Sequence, residues 1–414
     1  MGKNGILLFA IEELTSSFEY NELKVASKMF EKIVLVTFSE VDTNKLESNI
    51  DVHRVSFQNY SSEKNIFRWI VYTPLFISEL VKCPRYIISL KLFIRSLSSF
   101  MRALYISDKI QEILLKYSHA NETKVLLSFW FGSFASSLAL LKQRKLISAI
   151  VVTRAHGVDL YEERIPIIRH IPFRNHQLKH FDLVLPVSNK GSEYLKRKYP
   201  QYSGKIHTSY LGTSFYGRSI LKEDKIFTIV SCAKIRNLKR VYLVPQILMK
   251  INFPVRWVHI GGEDTQDPTW NLFDSAMNNL KKGRDDIEVR MMGEMSNYDV
   301  LNYYKNESIN LFLSVSETEG LPVSIMEAIS AGIPVMATDV GGCCEIVTPL
   351  SGILIPKDFN SEAVARQIEV FALSEYNTQA YRDKVYNFWK SNFDIEANYS
   401  KFYELISNQS SKTN

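Results

Sequence analysis

The chain has 414 residues, 46% of them hydrophobic and 23% charged, with a formal net charge of +6. That length exceeds one ordinary core and the composition is that of a globular protein, so two domains of roughly 200 residues each are expected. No apolar run reaches the ~20 residues that span a bilayer, and the opening MGKNGILLFAIEEL turns acidic where a signal peptide stays apolar, which predicts a cytoplasmic protein. The cysteines Cys83, Cys232, Cys343 and Cys344 lack metal-ligand spacing and read as reduced thiols.

Charge is spread unevenly. Residues 1–215 hold 29 Lys and Arg against 19 Asp and Glu, a balance of +10, whereas the remainder holds 21 against 25, or −4. A basic half suggests a polyanionic partner. Zinc-finger spacing, an RNA-binding signature and basic heptads are all missing, which argues against nucleic acid and favours an anionic membrane surface.

In chain order, GILLFAI predicts a buried strand, NELKVASKMF a helix and KIVLVTF a second strand, the start of a parallel doubly wound sheet. Between these and the next strands lies a segment from Lys64 to Arg102 with seven basic residues and one acid, Glu79. Within it YIISLKLFIRSLSSFMRAL predicts a helix with Lys91, Arg95, Ser98 and Arg102 on one face and Leu90, Phe93, Ile94, Leu97, Met101 and Leu104 on the others. Such a helix can lie on an anionic membrane with its apolar side in the headgroup boundary, or serve as an ordinary outer helix with that side turned inward. KVLLSFW, AIVVTRA and LVLPVS continue the strand pattern, and a second series begins with KIFTIVSCAKI, a strand feeding a helix over Lys239–Ile251. VRWVHIGG, IEVRMMG, NLFLSVS and IPVMATD follow as strands. Two such series predict two Rossmann-like domains, residues 1–215 and 216–385, followed by a C-terminal helix and tail over 386–414, with disorder expected from Asn408.

The densest pattern is SETEGLPVSIMEAISAGIPVMATDVGGCCEIV, from Ser316 to Val347. Pro322 suits a first helical turn, where its missing N–H costs nothing, and Gly332 with Pro334 is a stop signal. Glu319 is therefore expected in a loop and Glu327 inside a short helix, whose unpaired N-terminal N–H groups make a natural phosphate site. Upstream, Lys234 and Lys239 flank a loop between a strand and a helix. In AIVVTRAHGVDLYEER, Arg154, His156 and Asp159 fall at a strand end, where parallel sheets collect functional groups.

These features resemble retaining glycosyltransferases of family 4: a loop acid, Gly-x-Pro, a second acid completing an E-x7-E spacing, a small-residue helix, a short strand and GG-x-x-E. The resemblance is close over the second domain, fair from Val151 to Thr213 and thin over residues 1–130. It implies a GT-B architecture, an α/β fold with two Rossmann-like domains facing across a cleft and a C-terminal helix packing back on the first. It implies that Glu319 bonds donor-sugar hydroxyls, that Glu327 bonds the ribose, and that Gly320, Leu321, Pro322 and Val323 face sugar and phosphate. Lys234, in place of the more usual Arg, and Lys239 clamp the donor diphosphate, and His156 lies near the reacting centre. Gly261 and Gly262 of HIGGED approach the nucleotide, unless they form only a tight turn. Gly341, Gly342 and Glu345 match the family's Gly-Gly element. Ser188 of LPVSNKG lies near the cleft or caps a helix. IEELTSSFEYNE lacks the glycines the family often has after its first strand, so Ser16, Ser17 and Tyr20, with Arg154 and Asp159, are assigned to the acceptor side.

The expected activity is metal-independent transfer, with retention, from a nucleotide diphosphate sugar to a hydroxyl of a saccharide acceptor, lipid-linked, in O-antigen, capsule or exopolysaccharide synthesis. No cofactor is expected beyond the nucleotide sugar, and Asp-x-Asp, the common metal-holding triplet of the other large glycosyltransferase fold, does not occur. The enzyme is expected in the cytoplasm or peripheral on the inner membrane face. Epimerases acting on UDP-N-acetylhexosamine and a non-catalytic nucleotide-sugar-binding subunit are the alternatives.

Overall fold

A computed structural model describes residues 4–15, 17–57, 66–117, 124–145, 149–165, 169–222 and 226–413. The chain divides into two units, the first formed by Met1–Ser209 with Tyr399–Asn414 and the second by Tyr210–Asn398. Each unit is built on one six-stranded parallel sheet.

In the first unit β1 (Asn4–Ile11), β2 (Phe30–Thr37), β3 (Ile50–Arg54), β4 (Lys124–Ser128), β5 (Ile150–Ala155) and β6 (Leu183–Pro186) lie in the order β3-β2-β1-β4-β5-β6. Leu8, Val34, Leu126, Val151 and Val184 fill the centre of its core. Central strands of a parallel sheet are covered on both faces, which is why they read as continuous apolar runs. The sequence IDVHR of the edge strand β3 lacks such a run because Ile50 to His53 are only half-buried and Arg54 is exposed.

The second sheet repeats the plan with β7 (Phe227–Cys232), β8 (Val255–Ile260), β9 (Ile287–Met291), β10 (Leu311–Ser314), β11 (Val335–Thr338) and β12 (Gly352–Ile355), in the order β12-β11-β10-β7-β8-β9. Ile229, Trp257, Leu311 and Met336 are fully buried in its core. The helix expected over Lys239–Ile251 is shorter, Leu243–Leu248, preceded by a 3-10 turn at Asn237–Lys239. Arg240 interrupts it in the left-handed region at φ 48°, held there by hydrogen bonds from its guanidinium to the carbonyls of Val315, Ser316 and Lys357.

The final helix runs from Ile395 to Thr413, beyond the Asn408 at which order was expected to end. From Tyr399 onward it belongs to the first unit, where Tyr399, Phe402, Tyr403 and Ile406 are buried and Tyr403 packs edge-on against Phe30.

The basic segment folds as three helices, Ile66–Lys82, Arg85–Ile88 and Leu90–Leu115. The long helix turns its central apolar side inward: Phe100, Met101 and Leu104 are buried with Tyr72, Phe76 and Phe173, and Phe93 and Leu97 pack on the same cluster. Arg102 lies 4.9 Å over the Phe57 ring. Phe93, Leu97, Met101 and Leu104 of the expected membrane face therefore pack inward, whereas Leu90 and Ile94 of the same face, at the start of the helix, stay exposed.

Candidate functional site

In the second sheet the chain leaves β7 toward β8 and later returns to place β10 on the other side of β7. The loops at the carboxyl ends of β7 and β10 diverge at this switch point, which is where doubly wound sheets bind ligands. Lys234 follows β7, Lys239 ends the 3-10 turn, and Glu319 follows β10. The Glu317 N–H donates to the Leu238 carbonyl at 2.8 Å, joining the two loops, and the Lys239 ammonium lies 2.7 Å from a Glu319 carboxylate oxygen. Lys234 is exposed and sits 3.7 Å from Glu294.

After Glu319 the chain passes Gly320 and the buried Leu321, and Pro322 is the N-cap of the helix Val323–Ser330, one position earlier than expected. Proline offers no capping side chain, so the first-turn N–H groups of this apolar helix are left to another acceptor. Glu327 is nearly buried within that helix; burial lifts its carboxyl to about 7, while the Asn297 side-chain amide, which donates to it, pulls the other way.

Two glycine pairs support these loops from behind. Gly341 has φ 56°, and a Cβ there would fall 1.9 Å from the Glu319 carbonyl oxygen; the Gly342 N–H donates to the Gly320 carbonyl at 2.7 Å. The sequence thus needs glycine at 341 so that the acid loop can rest directly on it. Gly261, at φ 152°, is pressed against Ala233 in the same manner, with 1.9 Å from a Cβ to the Ala233 carbonyl oxygen, and Gly262 lies near Glu294. Glu345 accepts a hydrogen bond from Tyr210 at 2.9 Å.

The first unit has its own switch point, between β1 and β4. His156 follows β5 and is buried, its ring 4.2 Å from that of Trp130 and 5.1 Å from that of Phe129; among the described residues neither ring nitrogen has a hydrogen-bond partner, and Nδ1 lies 3.8 Å from an Asp159 carboxylate oxygen. Asp159 spends both carboxylate oxygens on backbone, accepting from the His156 N–H at 2.6 Å and the Phe131 N–H at 2.7 Å, so it shapes the loop. Glu12, just after β1, is half-buried, and desolvation raises its carboxyl to about 7, with the Asp159 charge adding to the rise.

Several expected residues have other work. Arg154 is a correction: it is fully buried, pairs with the equally buried Glu22 at 3.0 Å and lies 3.8 Å over the Phe402 ring, so no acceptor reaches it. Its strand packs under the C-terminal helix, and a charge there must find a partner. Ser188 is the N-cap of the helix Asn189–Lys198 and accepts from the Gly191 N–H at 3.1 Å. Tyr20 is half-buried in the helix Ser17–Met29, and Ser16 lies outside the described residues.

Sequence reading missed Asn297, Glu12 and Trp130, and ranked Arg240 below Lys234 and Lys239. Asn297 carried no local signal, because it meets Glu327 across thirty residues of chain. Glu12 stood in plain view in the glycine-free loop, but only burial makes it unusual.

Residues 216–387 match the family described as "Glycosyl transferases group 1", so Lys234, Lys239, Glu319 and Glu327 all fall within the matched segment. The putative colanic acid biosynthesis glycosyltransferase WcaL of Salmonella typhimurium is 25% identical over 263 residues, 60% of this chain and 61% of that protein. The O-antigen biosynthesis glycosyltransferase WbnH of Escherichia coli is 28% identical over 143 residues, 33% of this chain and 40% of that protein. The chain thus spans about three fifths of the length of the first of these relatives and two fifths of the second. Among solved structures, Anabaena Alr3699/HepE in complex with UDP matches with a TM-score of 0.68 at 14% identity, covering 98% of this chain and 100% of that one. The chain therefore has the GT-B fold of two parallel α/β units, and its residues 216–387 carry the match to glycosyl transferases group 1.

Proposed function

We propose that the protein is a retaining glycosyltransferase that moves a sugar from a nucleotide diphosphate donor to a hydroxyl of a saccharide acceptor, lipid-linked, in the assembly of a surface polysaccharide. The observation that carries the reading is the convergence of Lys239, Glu319 and the uncapped helix start on the switch point of the second sheet, inside the segment that matches glycosyl transferases group 1. The surface-polysaccharide assignment draws on the names of WcaL and WbnH, and the nucleotide on the UDP held by the Anabaena protein.

Departure of a nucleoside diphosphate builds negative charge on its phosphates, and fixed cations and N–H groups stabilise that charge most where water is excluded. In this reading Lys239, Lys234 and the first-turn amides of Val323–Ser330 meet the diphosphate. Glu319, released from Lys239, accepts hydrogen bonds from sugar hydroxyls, and Glu327 accepts them from the ribose. His156 donates to the sugar or phosphate, and no covalent nucleophile is invoked. Proton removal from the acceptor falls to the leaving phosphate in a front-face displacement. The proposal assigns no metal ion.

The test is incubation of the chain with a panel of nucleotide sugars and no acceptor, followed by separation of the products. Slow release of free sugar with its nucleoside diphosphate supports transfer chemistry, an epimerised nucleotide sugar points to an isomerase, and tight binding with the donor unchanged points to a binding subunit. Glu327→Ala with nucleotide binding intact in a folded chain sinks the ribose assignment.

A further inference from the structure

The long basic helix packs inward at its centre and leaves its first two turns exposed. At the tip, where Ile66–Lys82 ends, Arg85–Ile88 crosses and Leu90–Leu115 begins, six large aliphatic side chains face solvent: Ile77, Val81, Ile87, Ile88, Leu90 and Ile94, with Ile88 84% exposed and Leu90 73%. The tip is anchored from beneath. Cys83 and Tyr86 are buried with Leu80, Leu92 and Ile165 around them, and Phe76 meets Phe93 and Phe100 between the two longer helices at 5.8 and 5.3 Å. Glu79 is 2% exposed, accepting from the Phe173 N–H at 2.9 Å and facing His170 at 2.6 Å. The exposed aliphatics are therefore held on an ordered support and are not a frayed end.

Charge says what covers them. Between Ile77 and Arg95 the cations Lys82, Arg85, Lys91 and Arg95 are all exposed, while the sole acid in that stretch, Glu79, is buried below. Large aliphatic side chains exposed together along one short helical segment mark an interaction surface. A second copy docking face to face across a two-fold axis would bring these four cations against their own images. An anionic bilayer accepts both features at once, aliphatics in the headgroup boundary and Lys and Arg among the lipid phosphates.

We propose that this helical tip is a docking site for an anionic lipid surface, with Ile87, Ile88, Leu90 and Ile94 entering the boundary and Lys82, Arg85, Lys91 and Arg95 meeting the headgroup phosphates. The inference is independent of the donor chemistry above.

The test is flotation of the full chain with vesicles of phosphatidylcholine alone, and with one third of the lipid replaced by phosphatidylglycerol. The expected result is binding to the second vesicles, loss of that binding in high salt and little binding to the first. Each exposed cation contributes roughly fivefold to partitioning, so Lys91→Gln with Arg95→Gln lowers it about twenty-five-fold. Ile88→Ser with Leu90→Ser, at exposed positions that leave thermal unfolding unchanged, also lowers it. Equal binding by wild type and both double variants overturns the proposal, as does absence of binding to the phosphatidylglycerol vesicles. A wild-type dimer in light scattering that Ile88→Ser with Leu90→Ser converts to monomer, without vesicle binding, overturns it in favour of self-association.

Discussion

Lys239 and Glu319 are eighty residues apart in the chain, yet the ammonium and carboxylate lie 2.7 Å from each other across the β7–β10 switch point. Each group neutralises the other where the proposed donor would take both. Removing Lys239 by Lys239→Ala should lower donor hydrolysis or transfer by about a hundredfold or more, the size expected for loss of one preorganised charge donor. Thermal unfolding should move little, because a partly exposed pair contributes little stability. An equal loss of stability and activity would assign the pair to the fold.

Glu327 should make nucleotide binding depend on pH. Burial raises its carboxyl to about 7, so the protonated form stabilises the free protein below the ordinary value of 4.5, and that contribution is lost as pH rises through about 7. Ribose hydroxyls donate to a carboxylate and favour the ionised form. Affinity for UDP should therefore rise with pH toward about 7, approaching tenfold per unit, with proton uptake by the buffer on binding. Calorimetry in buffers of different ionisation enthalpy measures that proton, and Glu327→Gln should abolish the component.

Gly341→Ala places a methyl group about where the Glu319 carbonyl already sits, at a residue with φ 56°. The acid loop must shift or the helix after it must move. A loss of roughly 1–3 kcal/mol in urea unfolding is expected, together with weaker nucleotide binding. A folded variant with full affinity would show that the loop does not need this support.

Arg154 and Glu22 form a pair with both side chains 0% exposed. Arg154→Ala leaves the carboxylate buried alone and should cost about 3–5 kcal/mol in denaturant unfolding, whereas Arg154→Met with Glu22→Leu, which removes both charges, should recover much of it. Little loss in the single variant would mean that water reaches Glu22.

Chelation with EDTA should leave donor turnover unchanged if the lysines and helix amides answer the leaving charge as proposed. Restoration of lost activity by added magnesium or manganese would transfer that role to an ion.

The strands, the alternation of the two series and the acid motif were legible because they depend on local properties: apolar runs for covered parallel strands, and Gly and Pro where backbone geometry demands them. The edge strand β3 escaped, since a half-covered strand needs no such run, and β12 escaped because its apolar GILI is only four residues long. The basic segment was ambiguous for a related reason. An amphipathic helix shows that one side is apolar without showing what covers it, and the fold used Phe100, Met101 and Leu104 for core while leaving Ile88 and Leu90 in water.

By itself the sequence determined two Rossmann-like series and put Glu319 in a loop and Glu327 in a helix. Only the tertiary structure decided that Lys239 pairs with Glu319, that Asn297 holds Glu327, that Gly341 carries the acid loop and that Arg154 belongs to the core. Those relationships are set by sheet order, which brings distant loops to one switch point, and by burial, which changes what a charged side chain costs.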